Sequence, residues 1–391
     1  MPFSYLKAAL GTVDYSKRRL VAHRKAQLTE FLGSNQRPSF PKTTAPRVSI
    51  VILAYNHAYH TLQCLLSVLP MVEEQMEVIV FDNGSSDETA LMLKRFDNLV
   101  VHTVRDNLGF VGGMNAASKH ARAKFIAMLN NDARLMTGSL HKALDTFEAT
   151  PSCGYMGFRI AHANGGLQEA GCLIFQNGTT SCYLRYEKED DPRALFMRDV
   201  DFCSGVFFIL EREVFHRLGG FDDYYAPAYY EETDLCMRLR REGLRCIYYP
   251  NLLVEHFEFG SGATSRSARA MIKRNLGKFL DRWSSTLMSQ GFAQKYQVAG
   301  NERAALRLQP KPRRLLVVDK ADFDVSAIEE FRRQGGTLTI YLLNANASQV
   351  SETIKKLDMS AECTGGKSKR DLERFMQKRQ GTFEEIIDFK R

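Results

Sequence analysis

Short apolar runs alternate with segments of helical periodicity through the first third of the chain. The runs RVSIVILAYN, MEVIVFDNG, LVVHTVRDN and KFIAMLNND span residues 47–56, 76–84, 99–107 and 124–132. Runs of this length, rich in β-branched residues, are typical of buried strands, and the amphipathic stretch after each one predicts a helix. This order predicts an α/β fold with a parallel sheet, right-handed crossovers and ligands at the carboxyl ends of the strands.

The predicted strands end in polar residues. Tyr55 and Asn56 follow the first strand, Asp82 the second and Asn107 the third, and the fourth ends in residues 130–132. Because the carboxyl ends of parallel strands meet at one edge of a sheet, these side chains are expected to lie together. The pattern therefore predicts a ligand site at this edge.

Asp82 stands where the chain turns from strand to helix. The sequence Ser85-Ser-Asp-Glu88 has capping-box spacing, which predicts a helix directly after Gly84. A carboxylate at the strand tip can accept a hydrogen bond from a base N–H or a ribose hydroxyl. It can equally be a turn or helix-cap residue. Both interpretations stay open.

A glycine-rich segment, NLGFVGGMN at residues 107–115, opens the third predicted helix. Small residues at a helix N-terminus allow the backbone to approach a phosphate-bearing ligand closely. The spacing differs from the dinucleotide pattern G-x-G-x-x-G, which argues against a dehydrogenase.

The fourth strand ends in Asn130, Asn131 and Asp132. Two amides and one carboxylate suit a hard divalent cation that also takes oxygens from a diphosphate, which favours Mg²⁺ or Mn²⁺. A simple turn is the alternative interpretation of these three residues.

A second group of candidates lies further along the chain. Glu231, Glu232 and Asp234 lead into the amphipathic helix LCMRLRREG, which ends at Gly243. Acidic residues in a first helical turn often only oppose the helix dipole, but three tyrosines and a proline just upstream also suit a carbohydrate pocket that holds a general base. His256 ends the strand NLLVEH beside a Gly/Ser loop, where it is either a structural histidine or a metal ligand.

The cysteines carry no metal-binding spacing. There are eight: Cys64, Cys153, Cys172, Cys182, Cys203, Cys236, Cys246 and Cys363. None belongs to a C-x-x-C pair, and several lie in apolar runs, so reduced, buried thiols are expected. The missing zinc-finger spacing argues against a structural zinc site.

The net charge of +8 is unevenly distributed. Residues 1–47 carry 9 basic and 2 acidic side chains, 48–265 carry 19 and 28, 266–315 carry 12 and 2, and 316–391 carry 13 and 13. An acidic body with basic flanks does not fit a protein that binds nucleic acid along its whole surface. No nucleic-acid partner is therefore expected.

In chain order, the segments VSIVILAYN, VFDNGSSDET, DNLGFVGGMNAA, LNND, LGGFDDYYAPAYYEETDLCMRLRREG and YYPNLLVEH resemble an inverting family 2 glycosyltransferase of the GT-A fold. The likeness covers about residues 47–262 and is greatest to the bacterial rhamnosyltransferase-like branch that builds surface polysaccharides. It implies a Rossmann-like mixed sheet with mainly parallel strands, a nucleotide-diphospho-sugar donor linked to dTDP or UDP, Mg²⁺ or Mn²⁺, and inversion at the anomeric carbon. The implied acceptor is a hydroxyl of a glycan or of a lipid-linked sugar.

The resemblance also implies roles for residues. The donor residues are Ala54, Tyr55, Asn56 and Asp82 at the nucleoside, and Asn107, Gly109, Gly112, Asn115, Asn130 and Asn131 along the cleft. Asp132 is the retained acid of the D-x-D element, whose first acid is Asn130 here, and His256 is the second metal ligand. Glu232 is the implied base with Glu231 as the alternative, and Asp234 orients the pocket or caps the helix.

The basic flanks, residues 1–46 and 266–312, are expected to be helical. Phe3, Leu6, Ala9 and Leu10 lie on one side of the first helix, and the second flank contains Trp283. Such helices suit an anionic membrane face that carries lipid-linked acceptors, and they equally suit packing on the acidic body. The sequence has no secretory signal and no run of about 18 apolar residues, so a cytoplasmic protein is expected. If the basic helices bind the membrane, the protein is expected to be peripheral on its inner face.

Residues 313–391 follow the linker Gln309-Pro-Lys-Pro312 and begin with a β-α-β pattern, with a further strand expected at FEEIIDF. The pattern indicates part of a Rossmann-like domain, either truncated or a small module for docking or dimerisation. The oligomeric state stays open. The preceding residues 47–265 are the predicted glycosyltransferase domain.

Two other functions are compatible with a nucleotide-binding sheet. A non-catalytic nucleotide-sugar-binding regulator would need no base, so Glu231 and Glu232 would face away from the donor cleft. A sugar nucleotidyltransferase would need a strongly basic triphosphate loop after the first strand, and LAYNHAYH offers none.

Overall fold

The computed structural model describes residues 3–163, 165–258, 265–294, 305, 307–319 and 328–389; for residues 3–16 it describes the helix alone. The helices are α1 (Phe3–Gly33), α2 (Ala58–Val68), α3 (Thr89–Leu93), α4 (Gly109–Ser118), α5 (Leu140–Ala149), α6 (Arg212–Arg217), α7 (Glu231–Arg241), α8 (Ser265–Ser289), α9 (Glu329–Arg333), α10 (Ala347–Leu357) and α11 (Lys369–Lys378). The strands are β1 (Val48–Ala54), β2 (Met76–Asp82), β3 (Val100–Thr103), β4 (Phe125–Asn130), β5 (Ala133–Thr137), β6 (Cys153–His162), β7 (Leu167–Glu169), β8 (Cys172–Ile174), β9 (Thr180–Cys182), β10 (Arg198–Val200), β11 (Phe207–Glu211), β12 (Arg245–His256), β13 (Arg313–Asp319), β14 (Thr337–Leu343), β15 (Glu362–Gly366) and β16 (Glu385–Phe389).

The large sheet follows the order β10-β12-β6-β11-β4-β1-β2-β3 within the described residues, with β5 beside β12 and β7 beside β6. The four strands of the first third pair in parallel as β4-β1-β2-β3. β6 and β12 share their direction, whereas β5, β7, β10 and β11 run the opposite way. The α/β class with a mixed, mainly parallel sheet is confirmed.

β1 shows why the central strands read as continuous apolar runs. All seven of its residues are buried, because both faces of the sheet are covered. Val51 and Leu53 belong to the apolar cluster on one face, and Ile50 and Ile52 belong to the cluster on the other.

The register between β5 and β12 brings Asp132 and His256 together. β4 ends at Asn130, and β5 begins at Ala133 and runs antiparallel to β12, with Ala133 opposite His256. The backbone N–H of Phe257 donates to the carbonyl oxygen of Asp132. Two residues far apart in sequence, Asp132 and His256, therefore become neighbours at one sheet edge.

The capping box predicted at residues 85–88 is wrong. α3 begins only at Thr89 and has Glu88 as its N-cap residue without a side-chain cap. Asp87 instead accepts hydrogen bonds from the backbone N–H groups of Thr89 and Ala58, at 3.0 and 2.9 Å. Its carboxylate ties two loops together, a long-range use that local spacing does not reveal.

The described part of the first basic flank packs on the body. Leu28 and Phe31 of α1 are buried, and Arg24 is only 1% exposed. The Arg24 guanidinium donates to Glu255 Oε1 at 2.7 Å and contacts His60 Nδ1 at 2.8 Å. The residues expected on the apolar side of the first turns, Phe3, Leu6, Ala9 and Leu10, have side chains outside the described part.

The second flank packs on the body as well. Phe279 and Trp283 of α8 are buried in the same apolar cluster as the sheet residue Tyr155. The predicted boundary at residue 265 therefore separates two parts of one core. Of the expected basic flank, residues 295–304 and 306 lie outside the described residues, as do 259–264 in the Gly/Ser loop. Intramolecular packing is the interpretation that the described residues support for both flanks, and none of their helices is long and apolar enough to cross a membrane.

The C-terminal residues form a second, four-stranded parallel sheet with the order β15-β14-β13-β16. The expected β-α-β unit corresponds to β13, α9 and β14, although residues 320–327 of its crossover lie outside the described residues. The expected strand FEEIIDF is β16. This module contacts the body where the N–H of Met197 donates to the carbonyl oxygen of Met359.

Candidate active site

Two adjoining cavities open at the carboxyl ends of β1, β2 and β4. The strand-end cavity, about 180 Å³, is lined among others by Tyr55, Asn83, Asn107, Gly109 and Pro227. The glutamate cavity, about 330 Å³, is lined among others by Gln168, Tyr229, Glu231, Glu232, His256 and Glu258. Four residues border both cavities: Phe110, Asn130, Asp132 and Ala228. A ligand can therefore extend from one cavity into the other past Asp132.

A larger depression, about 370 Å³, lies at the opposite end of the sheet between Arg47, Glu74 and His141. It is remote from every polar strand end, so its size does not make it the better candidate.

Asn83 organises the strand-end cavity. Its amide nitrogen donates to Asn107 Oδ1 at 3.0 Å and to the carbonyl oxygen of Gly109 at 3.1 Å, and its Oδ1 accepts from the backbone N–H of Leu108 at 3.0 Å. Asp82 is only 1% exposed, and its Oδ1 accepts from the Ser85 N–H at 3.0 Å. This hydrogen bond is that of a turn residue, which was one of the two interpretations left open for Asp82.

The glycine-rich segment opens α4, as expected. Gly109 has φ +72°, and a Cβ there would lie 3.0 Å from Pro227 Cβ, so glycine is needed both for the backbone conformation and for this close approach. Asn115 lies differently from its expected position: its side chain pairs with the Phe221 backbone, donating to the carbonyl oxygen at 2.7 Å and accepting from the N–H at 2.9 Å. Asn115 holds a turn and is not among the cavity-lining residues, and neither is Gly112.

The first strand contributes Tyr55 to the cavity wall, whereas Ala54 is fully buried. Asn56 has φ +51°, and its Oδ1 accepts from the backbone N–H of Ser86 at 2.8 Å. The Asn56 side chain thus joins the loops after β1 and β2. Of this expected nucleoside group, Tyr55 is the member with a surface in the cavity.

Asp132 and His256 meet where the two cavities join. His256 Nε2 lies 3.2 Å from Asp132 Oδ1, and both residues are more than nine-tenths buried. His256 Nδ1 contacts Gln168 Oε1 at 2.7 Å, which fixes Nδ1 as the protonated nitrogen and leaves the Nε2 lone pair directed at Asp132.

This pair fits a divalent cation. Adjacent ligands of an octahedral cation with bonds of about 2.1 Å lie about 3 Å apart, close to the observed separation. A carboxylate and an imidazole, with Gln168 as the outer partner of the histidine, form a donor set that leaves room for diphosphate oxygens and water. Asn131 is not free for this role, because its amide donates to Thr61 Oγ1 at 2.9 Å.

Glu231 and Glu232 form the first turn of α7 and face the glutamate cavity. The two preceding residues, Tyr229 and Tyr230, have φ values of +76° and +73°, an unusual conformation that sets where the helix begins. In each glutamate Oε2 is buried without a hydrogen-bond partner. A buried carboxylate oxygen without a hydrogen-bond partner is unusual, and it marks both glutamates as candidates for contact with a ligand.

The environment separates the two carboxyl groups. Burial, and then the negative charge of Glu232, raise the pKa of Glu231 well above its usual range. Burial, with a further contribution from the charge of Glu169, raises the pKa of Glu232 to about 7. Glu231 therefore holds its proton more tightly, and Glu232 is the member of the pair that ionises near neutral pH. A base that is fully ionised at neutral pH would need a lower pKa than this.

A catalytic role for Asp234 is not supported by its position. The residue is fully buried, and its Oδ1 accepts from Tyr225 OH, Arg282 Nη1 and Trp283 Nε1, while Oδ2 accepts from Arg238 Nε. Four donors saturate this carboxylate outside the cavity lining. Asp234 joins α7 to α8, and it neither caps the helix nor lines the cavity, the two roles expected of it.

This correction predicts a stability defect. Asp234→Asn keeps the shape but leaves Arg238 without its buried counter-charge and Arg282 with Asp222 alone, so the free energy of unfolding should fall by about 3 kcal/mol in denaturant titration. The exposed neighbour is a matched control: Asp223→Asn should change it by no more than about 0.5 kcal/mol. Equal stability of the two variants would contradict the structural role.

Asn83 was expected only as part of the polar end of the second strand, and Gln168 was not predicted. Asn83 follows Asp82 directly, so its strand-end position was a usable signal. Gln168 lies in LQEAG, which has no recognisable motif, and it reaches His256 only because β7 pairs with β6, which lies beside β12.

Comparison with known proteins identifies the domain. Residues 49–219 match the family described as Glycosyl transferase family 2. These residues are a family 2 glycosyltransferase domain. The match ends before Glu231, so the family 2 domain as matched holds the strand-end residues and Asp132, whereas both glutamates and His256 follow it.

Three relatives of the family 2 domain illustrate its range. The uncharacterized protein y4gI of Sinorhizobium fredii is 24% identical over 262 residues, 64% of this chain and 29% of that protein. The N-acetylglucosaminyl-diphospho-decaprenol L-rhamnosyltransferase of Mycobacterium tuberculosis is 25% identical over 235 residues, 53% of this chain and 75% of its own. The O-antigen biosynthesis protein RfbC of Myxococcus xanthus is 25% identical over 247 residues, 60% of this chain and 19% of its own. The chain thus spans less than a third of two of these relatives.

Among solved structures, the mannosyltransferase PcManGT of Pyrobaculum calidifontis, in complex with GDP-Man and Mn²⁺, is similar to the family 2 domain. The sequence identity is 17% and the TM-score is 0.44, covering 73% of this chain and 80% of that one.

Proposed function

We propose that the chain is a metal-dependent, inverting glycosyltransferase that moves a sugar from a nucleoside-diphospho-sugar to an acceptor hydroxyl. One observation carries the proposal: Glu231 and Glu232, each with one carboxylate oxygen that lacks a hydrogen-bond partner, line a cavity that Asp132 and His256 also line. A base and a cation-binding pair in one cavity are the two elements that such a transfer requires.

The strand-end cavity is the proposed donor site. Tyr55 offers an aromatic surface to the base, and Asn83 and Asn107 hold the loop in which Gly109 opens α4. The backbone can approach a diphosphate closely at this glycine. Asp82 contributes by holding its turn, and a contact with the nucleoside is not required of it.

Asp132 and His256 would hold the divalent cation, Mg²⁺ or Mn²⁺, with Gln168 fixing the orientation of the imidazole. When bound, the cation supplies Lewis-acid stabilisation of the negative charge on the departing diphosphate. No side chain is then needed to protonate the leaving group.

Glu232 is the proposed base. It ionises near neutral pH while Glu231 retains its proton, so the pair offers one acceptor for the hydroxyl proton. A single carboxylate suffices for one in-line displacement, which inverts the anomeric carbon, whereas hydrolysis of a glycoside requires a pair flanking the bond. Glu231 positions the acceptor in this scheme.

For the donor we propose a dTDP- or UDP-linked sugar, with rhamnose the first to test, and for the acceptor a glycan or lipid-linked sugar of surface polysaccharide synthesis. The similarity to the mycobacterial rhamnosyltransferase and to the O-antigen protein supports this choice. An anionic membrane surface would present such acceptors, and the protein would then act at the inner face of the cell membrane.

A non-catalytic regulator is the alternative. It predicts glutamates turned away from the cavity, and their position on the cavity wall favours transfer instead.

The proposed function is tested by incubating the full chain with a panel of nucleotide sugars, with Mg²⁺ or Mn²⁺ and with lipid-linked or free glycan acceptors. We expect nucleoside diphosphate release that depends on the metal, on one donor and on an acceptor. Tight binding of a nucleotide sugar without any turnover across the panel would favour the regulator.

The rate should also depend on pH with a defined sign. Because the pKa of Glu232 is raised to about 7 and the base must be ionised, transfer should rise with pH up to about 7 and level off above it. The other titratable groups facing this cavity are Glu231, Asp132, His256, Glu258 and Tyr229, with Glu169 behind. Initial rates measured between about pH 5.5 and about pH 9 test this prediction. A rate that does not change over this pH range would contradict it.

A further inference from the structure

A cluster of two thiols and a carboxylate lies beside the glutamate cavity and has no part in the proposed transfer. Cys172 and Cys182 stand directly opposite each other on β8 and β9, with their sulfur atoms 3.7 Å apart. Both sulfurs approach the same oxygen, Glu169 Oε2, at 3.3 Å from Cys172 and 3.9 Å from Cys182. Within the described residues, these three side chains form a group of His, Cys, Asp or Glu residues whose ligand atoms lie close enough together to share one cation.

These distances match the edges of a tetrahedron around zinc. With Zn–S bonds of about 2.3 Å and Zn–O bonds of about 2.0 Å, the S–S edge is about 3.8 Å and each S–O edge about 3.5 Å. The observed S–S separation agrees with the first value, and the two S–O separations lie on either side of the second.

The surroundings of the cluster suit a bound cation. Glu169 and Cys172 are almost completely buried, and burial raises the pKa of both groups. The Ser204 N–H donates to Glu169 Oε1 at 3.1 Å, which leaves Oε2 for the sulfurs. Arg185 Nη1 lies 4.0 Å from Cys182 Sγ, while its Nη2 pairs with Glu258 Oε1 at 2.8 Å.

We propose that Glu169, Cys172 and Cys182 form a Zn²⁺ site, separate from the pair Asp132 and His256. Three protein ligands leave the fourth tetrahedral position for water. The two sites sort cations by ligand type: thiolates select zinc, whereas the site at Asp132, completed by diphosphate oxygens, suits Mg²⁺ or Mn²⁺. Gln168 and Ser204, on either side of this cluster, line the glutamate cavity, so the ion would stiffen its wall.

The sequence argued against structural zinc because it has no close cysteine pair. The two cysteines are ten positions apart, but the hairpin between β8 and β9 brings them into register. A cross-strand pair replaces the spacing of a zinc finger.

Cobalt titration of the full chain tests the proposal without an activity assay. The reduced protein is freed of metal with a chelator, desalted, and titrated with Co²⁺ in excess Mg²⁺. We expect a near-ultraviolet thiolate-to-cobalt charge-transfer band and visible bands of tetrahedral cobalt, saturating at about one equivalent and bleached by Zn²⁺. Only cysteine ligation gives the charge-transfer band, so binding at Asp132 and His256 cannot mimic it.

Two cysteine variants complete the test. Cys182→Ser removes one of the two thiolates and should clearly weaken the charge-transfer band, whereas Cys153→Ser, which changes another half-buried cysteine, should leave it intact. Circular dichroism checks that both variants fold. The proposal is overturned if the reduced wild-type chain gives no charge-transfer band, or if the band is undiminished in Cys182→Ser. It is equally overturned if the isolated protein carries a Cys172–Cys182 disulfide by mass spectrometry and binds no zinc after reduction.

Discussion

Glu232→Gln is expected to lower sugar transfer by roughly 10² to 10⁴-fold while leaving donor binding intact. Glutamine keeps the size of the side chain and its ability to hydrogen-bond, but it cannot take the proton of the acceptor hydroxyl. The substitution replaces the carboxylate of Glu232, which has one oxygen without a hydrogen-bond partner, by an amide that cannot act as a base. Product formation gives the rate, and calorimetric titration with the nucleotide sugar and Mn²⁺ gives donor affinity.

Glu231→Gln is the matched control, since it changes the adjacent residue in the same helical turn. Because Glu231 retains its proton, an amide there resembles the native state and should cost less than the change at Glu232. The reverse ranking would move the base by one residue. Full activity in both variants would exclude a carboxylate base from this helix.

Asp132→Ala should remove metal-dependent activity, by roughly 10³-fold at saturating Mg²⁺ or Mn²⁺, because the cation loses its charged protein ligand. The residue lies at the end of a strand, outside the apolar clusters, so the fold should survive. Rates at increasing metal concentration, with a thermal unfolding curve for each variant, provide the measurement.

Two further variants rank the metal-binding residues. His256→Ala removes a neutral ligand and should have a milder effect than Asp132→Ala. Gln168→Ala leaves both ligands in place but frees the imidazole, and should weaken metal affinity by roughly 10- to 100-fold. An Asp132→Ala enzyme with wild-type turnover at saturating metal would refute the assignment.

The strand ends were predictable because they follow from local patterns. Apolar runs locate β1 to β4, parallel pairing brings their ends to one edge, and polar residues there are conspicuous. Tyr55, Asn107 and Asp132 line the strand-end cavity for this reason. Their position required no knowledge of tertiary contacts beyond the sheet itself.

The errors concern residues whose roles depend on distant partners. Asn115 has the same local signature as the cavity residues, but its side chain pairs with the distant backbone of Phe221. In the sequence, Asp234 cannot be distinguished from its neighbours in the first turn of α7. The structure distinguishes it, because Arg282 and Trp283 of α8 donate hydrogen bonds to its carboxylate. A sequence shows which side chains are polar, and only packing shows which of them are already saturated.

The electrostatic behaviour of Glu231 and Glu232 also lay beyond the sequence. Both precede a helix and both are carboxylates, so their order as proton acceptors was open. Burial raises the pKa of both groups, and the charge of Glu232 raises the pKa of Glu231 further. The ranking is a property of the folded cavity.

The ion pair between Arg24 and Glu255 has a consequence for how this catalytic unit can be inherited. Glu255 directly precedes His256, and its buried partner comes from α1, outside the segment that matches the family. A gene fragment that begins at the first strand would code for a sheet in which Glu255 keeps Arg134 but loses its buried partner Arg24. Recombination between related genes should therefore preserve the N-terminal helix and β12 together, so that the unit of exchange is larger than the recognisable domain.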